Sequence, residues 1–178
     1  MSDKEVDVSR QLRRALKVDK KFERAIGNMD KLDANVDKWL DEIQSLHVRR
    51  GVRALDTGKM LESSQRVAID TDIDEMALMS RVTEIKSRAL RQILIIDENL
   101  DKLRKYVRFK YSDVLSAGKM AVTERKALIE DMISPATTAK KRLEGVMKMG
   151  DLILDDAKQA SYGLSRINAI LVARQKER

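Results

Sequence analysis

The chain has 178 residues and a net charge of +7, with 37% charged residues, 3% aromatic residues, one proline and no cysteine. This composition favours long helices over sheets, and the lack of cysteine excludes disulfides and thiolate metal sites and fits a reducing compartment. No apolar run approaches the roughly 18 residues needed to span a membrane. The polar, acidic start predicts no signal peptide.

The N-terminal third, residues 1–50, shows one continuous helical pattern. Its apolar residues recur at alternating spacings of three and four, which is the heptad pattern of a helix that packs against other helices. They are Ala15, Val18, Phe22, Ala25, Met29, Leu32, Val36, Trp39, Ile43 and Leu46. Ser9 is a candidate N-cap and Gly51 a candidate C-terminal stop. We expect one long helix or coiled-coil arm, followed by a connector over residues 51–71.

A helical core is predicted over residues 72–178. Asp72 and Glu75 resemble a capping box at the start of a second long helix, which ends near Ala117-Gly118. A third element covers residues 123–132, and Ser134-Pro135 marks the start of the last helix. The fold class expected is therefore all-α: long amphipathic helices with heptad seams that form an elongated bundle or coiled coil. A helix of about 38 residues extends roughly 57 Å, which favours self-association in a chain of this size.

The seam of the last helix is narrow because several of its members are small. Small residues let helix backbones approach closely, either within one bundle or between copies of the chain. The seam is therefore a candidate surface for homo-oligomerisation, with packing inside a single bundle as the alternative. The residues concerned are Gly150, Ile153, Ala157, Ala160, Leu164, Ile167 and Leu171.

The best candidate functional surface is residues 102–111, which alternate basic and aromatic side chains. Three of the six aromatic residues of the chain, Tyr106, Phe109 and Tyr111, lie there. Lysine and arginine attract phosphates, and rings offer faces on which unpaired bases stack. Helical geometry turns Val107 and partly Tyr111 inward. The predicted nucleic-acid contacts are Lys102, Arg104, Lys105, Arg108, Phe109 and Lys110.

Catalytic and metal chemistry have no support in the sequence. His47 is the sole histidine, so neither a histidine metal site nor a triad is available. No phosphate-binding glycine loop is present. The acidic cluster that contains Asp70 and Asp74 lacks the glycine and the final glutamate of a calcium loop. We expect a non-enzymatic protein without a cofactor or metal ion.

The last helix carries a resemblance to a known family. The segment from Leu154 to Ile167, with Tyr162 and Leu164 in it, resembles the C-terminal signature of T4-type phage recombination mediators, the UvsY-type proteins. The likeness extends over about residues 68–174 and includes Ile69-Asp70, a long basic helix and a Ser-Ala-Gly turn at residues 116–118. Val114 and Leu115 replace the paired tyrosines of the family, and the first 60-odd residues have no counterpart in it.

The resemblance implies a small oligomeric helical protein that binds single-stranded DNA. Such a mediator helps to load a RecA-like recombinase onto strands coated with single-strand-binding protein, so both proteins are implied partners. Arg108 and Lys110 match the family's basic pair for DNA. The implied location is the cytoplasm, which is the host cytoplasm if the chain is phage-encoded.

Two other functions remain open from the residues alone. A coiled-coil adaptor or scaffold would bind only protein partners, with the N-terminal seam around Trp39 as its main site. A membrane-surface protein would lay a basic amphipathic helix on anionic lipid, although most apolar stripes are accounted for by heptad packing.

Overall fold

The computed structural model describes residues 3–52, 65–117 and 120–176, and every regular element in these ranges is an α-helix. The all-α prediction is confirmed. The elements are α1 (Asp3–Lys17), α2 (Lys20–Asp33), α3 (Val36–Val52), α4 (Gln65–Lys110), α5 (Ser112–Ala117), α6 (Val122–Met132) and α7 (Ser134–Lys176). None of the described helices has an apolar stretch long enough to cross a bilayer.

The prediction of a single N-terminal helix from the heptad pattern is wrong, because the helix is interrupted twice. Asp19 caps α2 by accepting hydrogen bonds from the backbone N–H groups of Lys21 and Phe22, at 3.1 and 3.3 Å. A second break, at residues 34–35, separates α2 from α3. Ser9 lies inside α1, so the prediction that it is an N-cap is wrong. Val18 was expected in the seam but is 80% exposed, because it lies at the first break.

The predicted boundaries of the later helices are partly correct. The Ser134 start of α7 is confirmed, and α6 matches the predicted third element. The proposed capping box is wrong: α4 begins at Gln65, so Asp72 and Glu75 lie within the helix, and Glu75 is buried. Residues 53–64 of the predicted connector, and Gly118 at the predicted break, lie outside the described residues.

The chain divides into two compact units. The first comprises Met1–Asn35 and Leu90–Glu144, and the second comprises Val36–Ala89 and Gly145–Arg178. Helices α4 and α7, with 46 and 43 residues, contribute a segment to each unit. Residues 1–50 are therefore divided between the units at Asn35, which differs from the single arm predicted.

The first unit has an aliphatic core contributed by helices that are distant in sequence. Its fully buried members include Leu12, Met29, Ile96, Ile129, Ile133 and Leu143. Ion pairs lie over this core: Lys140 contacts Asp97 at 2.6 Å, and Arg13 contacts Asp131 at 2.7 Å. Both pairs are partly or wholly exposed, so the core rather than the ion pairs supplies most of the stability.

The second unit packs α3 and segments of α4 and α7 around a core of its own. Its buried members include Val36, Trp39, Ile43, Val82, Ile85, Ala89, Ile153, Ala157, Leu164 and Ile167. Arg81 donates to both carboxylate oxygens of Glu42, at 2.6 and 3.0 Å, and Ser161 donates to Asp72 at 2.8 Å. Gly150 leaves room for the side chain of Lys86, since a Cβ at this glycine would lie 2.7 Å from the Lys86 Cγ.

Two adjacent isoleucines of α4 test the orientation of this helix. Ile96 is fully buried, whereas Ile95 is 45% exposed. We expect Ile96→Ala to lower the free energy of unfolding by about 2–5 kcal/mol, because it removes buried methyl groups and leaves a cavity. Ile95→Ala is the matched control and should change it by less than about 1 kcal/mol. Urea denaturation measures both values, and equal losses would contradict the orientation.

Candidate nucleic-acid interface

The basic and aromatic residues of 102–110 lie at the C-terminal end of α4 and Tyr111 follows directly, all in the first unit. Helical periodicity places Leu103 and Val107 in the core, with exposures of 4% and 0%. On the other side, Arg108 and Phe109 lie one turn after Lys105, and all three side chains are exposed. The expected division into a buried apolar face and a basic flank is therefore observed.

Two of the predicted phosphate contacts are engaged by acidic side chains. Arg104 donates to both carboxylate oxygens of Glu130, at 2.7 and 3.0 Å, and also contacts Asp101 at 2.9 Å. The hydrogen bond from Arg104 lowers the pKa of Glu130 despite the opposing effect of burial. Lys102 pairs with Glu98 at 2.6 Å. Arg104 is thus held by a bidentate pair typical of structural interactions.

Lys110, Tyr106 and Tyr111 converge on a further carboxylate, that of Asp19. Asp19 is buried, and its carboxylate accepts from Lys110 Nζ at 2.9 Å, Tyr106 Oη at 2.9 Å and Tyr111 Oη at 2.6 Å. Lys21 Nζ also lies 4.8 Å from the centre of the Tyr106 ring. We call Asp19, Tyr106, Lys110 and Tyr111 the Asp19 cluster. Its members connect the start of α2 to the end of α4.

The electrostatics of the Asp19 cluster favour the ionised carboxylate. Burial acts to raise the pKa of Asp19, but the hydrogen bonds from Tyr111, Lys110, Tyr106 and the Phe22 N–H outweigh it and hold this pKa well below its usual range. Burial, together with the bond to Asp19, raises the pKa of Tyr111 to about 12. The pKa of Lys110 is raised by its contacts with Tyr106 and Asp19. At neutral pH the cluster therefore contains a lysine cation and a carboxylate anion.

The unpaired part of the predicted surface is smaller than the sequence implied. Among the described residues, Lys105 and Arg108 have no carboxylate within ion-pair distance, and Phe109 is 89% exposed. Arg108 also borders a cavity of about 230 Å³, which is lined by Arg108, Ser112, Leu115, Ser116, Val122, Arg125, Lys126 and Ile129. The described lining thus contains three cations, two hydroxyl groups and no carboxylate.

Sequence reasoning missed the second side of this cavity. Arg125 and Lys126 belong to α6, and Arg125 Nε donates to the carbonyl oxygen of Met120 at 3.0 Å, which fixes its stem near the start of that helix. Nothing in the local pattern of residues 122–132 marks these cations, because only the tertiary fold brings them beside Arg108. We call Lys105, Arg108, Phe109, Arg125 and Lys126 the basic patch.

The residues predicted for oligomerisation lie in the second unit and are mostly buried within the single chain. Ala157 is fully buried and Leu164 is 2% exposed, while Leu171 is half-buried. This seam packs against helices of its own unit, and its role between copies of the chain stays a prediction. No group of histidine, cysteine or carboxylate side chains suited to a metal ion occurs among the described residues, and His47 is exposed.

Comparison of the chain with protein-family models, curated proteins and solved structures finds no match. The resemblance to UvsY-type mediators therefore stays a prediction from residues, and the function has to be argued from the site itself.

The pKa shift of Asp19 predicts a pH-dependent stability. Because the folded-state pKa is below the unfolded value, the contribution of this carboxylate is complete above about pH 4 and is lost as the pH falls toward the folded pKa. We expect Asp19→Asn to lower the free energy of unfolding at pH 7 by about 2 kcal/mol, because it removes charge-assisted hydrogen bonds. The difference from wild type should shrink below pH 4.

Denaturant unfolding at pH 7 and pH 3 measures this effect. Asp30→Asn is the control, since Asp30 is an exposed carboxylate on the same helix. It should change the stability by less than about 0.5 kcal/mol at either pH. If both variants gave the same pH profile, the Asp19 cluster would not be a source of acid sensitivity.

Proposed function

We propose that the protein is a non-enzymatic, helical accessory protein that binds single-stranded nucleic acid through the basic patch. The observation that carries this proposal is the exposure of Phe109 beside Arg108 and Lys105, which have no ion-pair partners among the described residues. Proteins that bind single strands combine cations along the backbone with rings on which bases stack. The proposed role, following the resemblance, is that of a recombination mediator that helps to load a RecA-like recombinase onto strands coated with single-strand-binding protein.

In this proposal, different side chains contact different parts of the ligand. The cavity bordered by Arg108, Arg125 and Lys126 suits a phosphate group, since guanidinium and ammonium groups and two serine hydroxyls line it. Phe109 lies next to Arg108 on α4 and can receive an unpaired base on its face. No feature of the patch reads a base edge, so we expect binding with little sequence preference.

A protein scaffold is the second candidate function. It is favoured by a groove of about 600 Å³ in the first unit, whose lining includes Leu16, Phe22 and Ile26. An apolar groove of this kind suits a partner helix. The two functions use different residues and are therefore compatible in one protein.

Removing cations of the basic patch should weaken strand binding and flatten its salt dependence. For a single strand, the slope of log affinity against log salt falls by about 0.7 for each phosphate that the protein no longer neutralises. We therefore expect Arg108→Ala combined with Lys126→Ala to lower the slope by about 1.4. Fluorescence anisotropy with a labelled oligonucleotide at several salt concentrations measures it.

Lys102→Ala is the matched control, because Lys102 is an exposed cation paired with Glu98. Its slope should stay close to that of wild type. Lys110→Ala should act mainly on stability, since Lys110 belongs to the Asp19 cluster. An unchanged slope in the double variant would refute the basic patch as the phosphate-binding surface.

Phe109 should contribute affinity without contributing to salt dependence. Stacking on an aromatic side chain is worth about 1–3 kcal/mol per base, so Phe109→Ala should weaken binding by about 5-fold to 150-fold with an unchanged salt slope. Phe109→Trp should retain most of the affinity. Tyr162→Ala, which removes another exposed ring (74%), is the control. Equal affinities for all four proteins would show that no base stacks on Phe109.

A further inference from the structure

The first unit contains a groove that the basic patch does not use. It has a volume of about 600 Å³, and its apolar lining is formed by Leu16, Phe22, Ile26, Met132 and Pro135. The apolar residues come from α1, α2, α6 and α7, so the groove lies where these helices meet. Grooves of this kind accept the apolar face of a helix.

The rim of the groove is strongly basic. Arg10, Arg13, Arg14 and Lys17 line it, with Glu23 as the sole acidic lining residue among those described. Arg13 pairs with Asp131 at 2.7 Å, whereas Arg10, Arg14 and Lys17 have no ion-pair partner in the described part of the chain. Residues 10–24 contain seven basic and two acidic side chains. The occupant of the groove should therefore be apolar on one face and acidic beside it.

A surface with these properties is present on the same chain, in the second unit. Ile69, Ile73 and Met76 follow one another along one face of α4 at spacings of four and three, and they are 43%, 57% and 58% exposed. Asp70 lies beside them and is exposed, and residues 67–80 contain no basic side chain. We call Ile69, Asp70, Ile73 and Met76 the acidic stripe.

We propose that the groove of one copy binds the acidic stripe of a second copy of this chain. The three apolar side chains of the stripe enter the apolar groove, and the Asp70 carboxylate beside them faces the arginines of the rim. Charge complementarity sets the orientation, and the burial of exposed isoleucine and methionine supplies the attraction. This proposal does not depend on nucleic-acid binding.

Other occupants fit the groove less well. The phosphates of a nucleic-acid strand would pair with the basic rim, but the strand would leave the apolar lining without a partner. An anionic lipid would pair its headgroup with the rim and its acyl chain with the apolar lining. It would not account for the exposed apolar residues of the acidic stripe. A second copy accounts for both surfaces with one contact.

The contact is small, so the association should be weak unless it is repeated. Stable interfaces bury about 1,200–2,000 Å², which is more than one helix face in one groove provides. Each copy has one groove and one stripe, so two copies satisfy both reciprocally, or copies join head to tail into larger assemblies. We expect dissociation constants on the order of micromolar.

Sedimentation velocity over a range of protein concentrations, without nucleic acid, tests the proposal. Ile73→Asp should weaken self-association at least about tenfold, because it places a charge in the apolar contact. Arg14→Glu and Asp70→Lys should each weaken it by about threefold to tenfold through like-charge repulsion. All three side chains are exposed, so folding should be retained, and circular dichroism verifies this.

The charge-swapped chain provides the sharpest test. Arg14→Glu combined with Asp70→Lys should restore association, and so should an equimolar mixture of the two single variants. Leu152→Asp and Arg91→Glu are the controls, since both positions are exposed and belong to neither surface; they should leave association unchanged.

Three outcomes would overturn the proposal. They are a wild-type protein that is monomeric at all concentrations, an oligomer that Ile73→Asp and Arg14→Glu leave intact, and a charge-swapped chain that does not recover. If a monomeric wild type bound anionic vesicles and Arg14→Glu did not, the groove would be a lipid site. The failure of oligonucleotide binding would leave the sedimentation result unaffected.

Discussion

One buried carboxylate organises the first unit, and the candidate site depends on it. Asp19 lies in the break between α1 and α2 and is the N-cap of α2. It also accepts hydrogen bonds from Tyr106, Lys110 and Tyr111. A buried anion is tolerated because five donors surround it, among them a lysine ammonium group and two backbone N–H groups. The end of α4 is thereby tied to the start of α2.

This arrangement divides the basic and aromatic stretch into two functional parts. The side chains that contact Asp19 serve the fold, as does Arg104, which pairs with Glu130. Lys105, Arg108 and Phe109 face solvent without such partners. Two further cations, Arg125 and Lys126 of α6, line the same small cavity as Arg108. The candidate interface is therefore built by tertiary contacts and is only partly encoded by the local pattern of residues 102–111.

The core was largely predictable from the sequence, whereas the polar partners were not. Heptad spacing identified Ile85, Ile96 and Leu100 as core residues, and all are buried, because burial of one helix face leaves a period that can be read locally. The pattern did not reveal the break at Val18–Asp19, since the apolar spacing continues across it. The partners of Arg104 and Lys110 are 26 and 91 residues away in the chain. Only the fold establishes such pairs, so the unpaired cations could not be separated from the paired ones beforehand.

Self-association would change what a weak surface can do. In the proposed function, one basic patch would contact few phosphates. Copies joined through groove and stripe would bind one strand at several points, and effective concentration would multiply the separate affinities. Salt would weaken both proposed interactions: strand binding through counterion association with the strand, and self-association through screening of the rim charges. The two effects are separable because the basic patch and the acidic stripe share no residue. A variant of the acidic stripe should lose the advantage of multiple contacts on long strands while it keeps the affinity for a strand that fits a single patch.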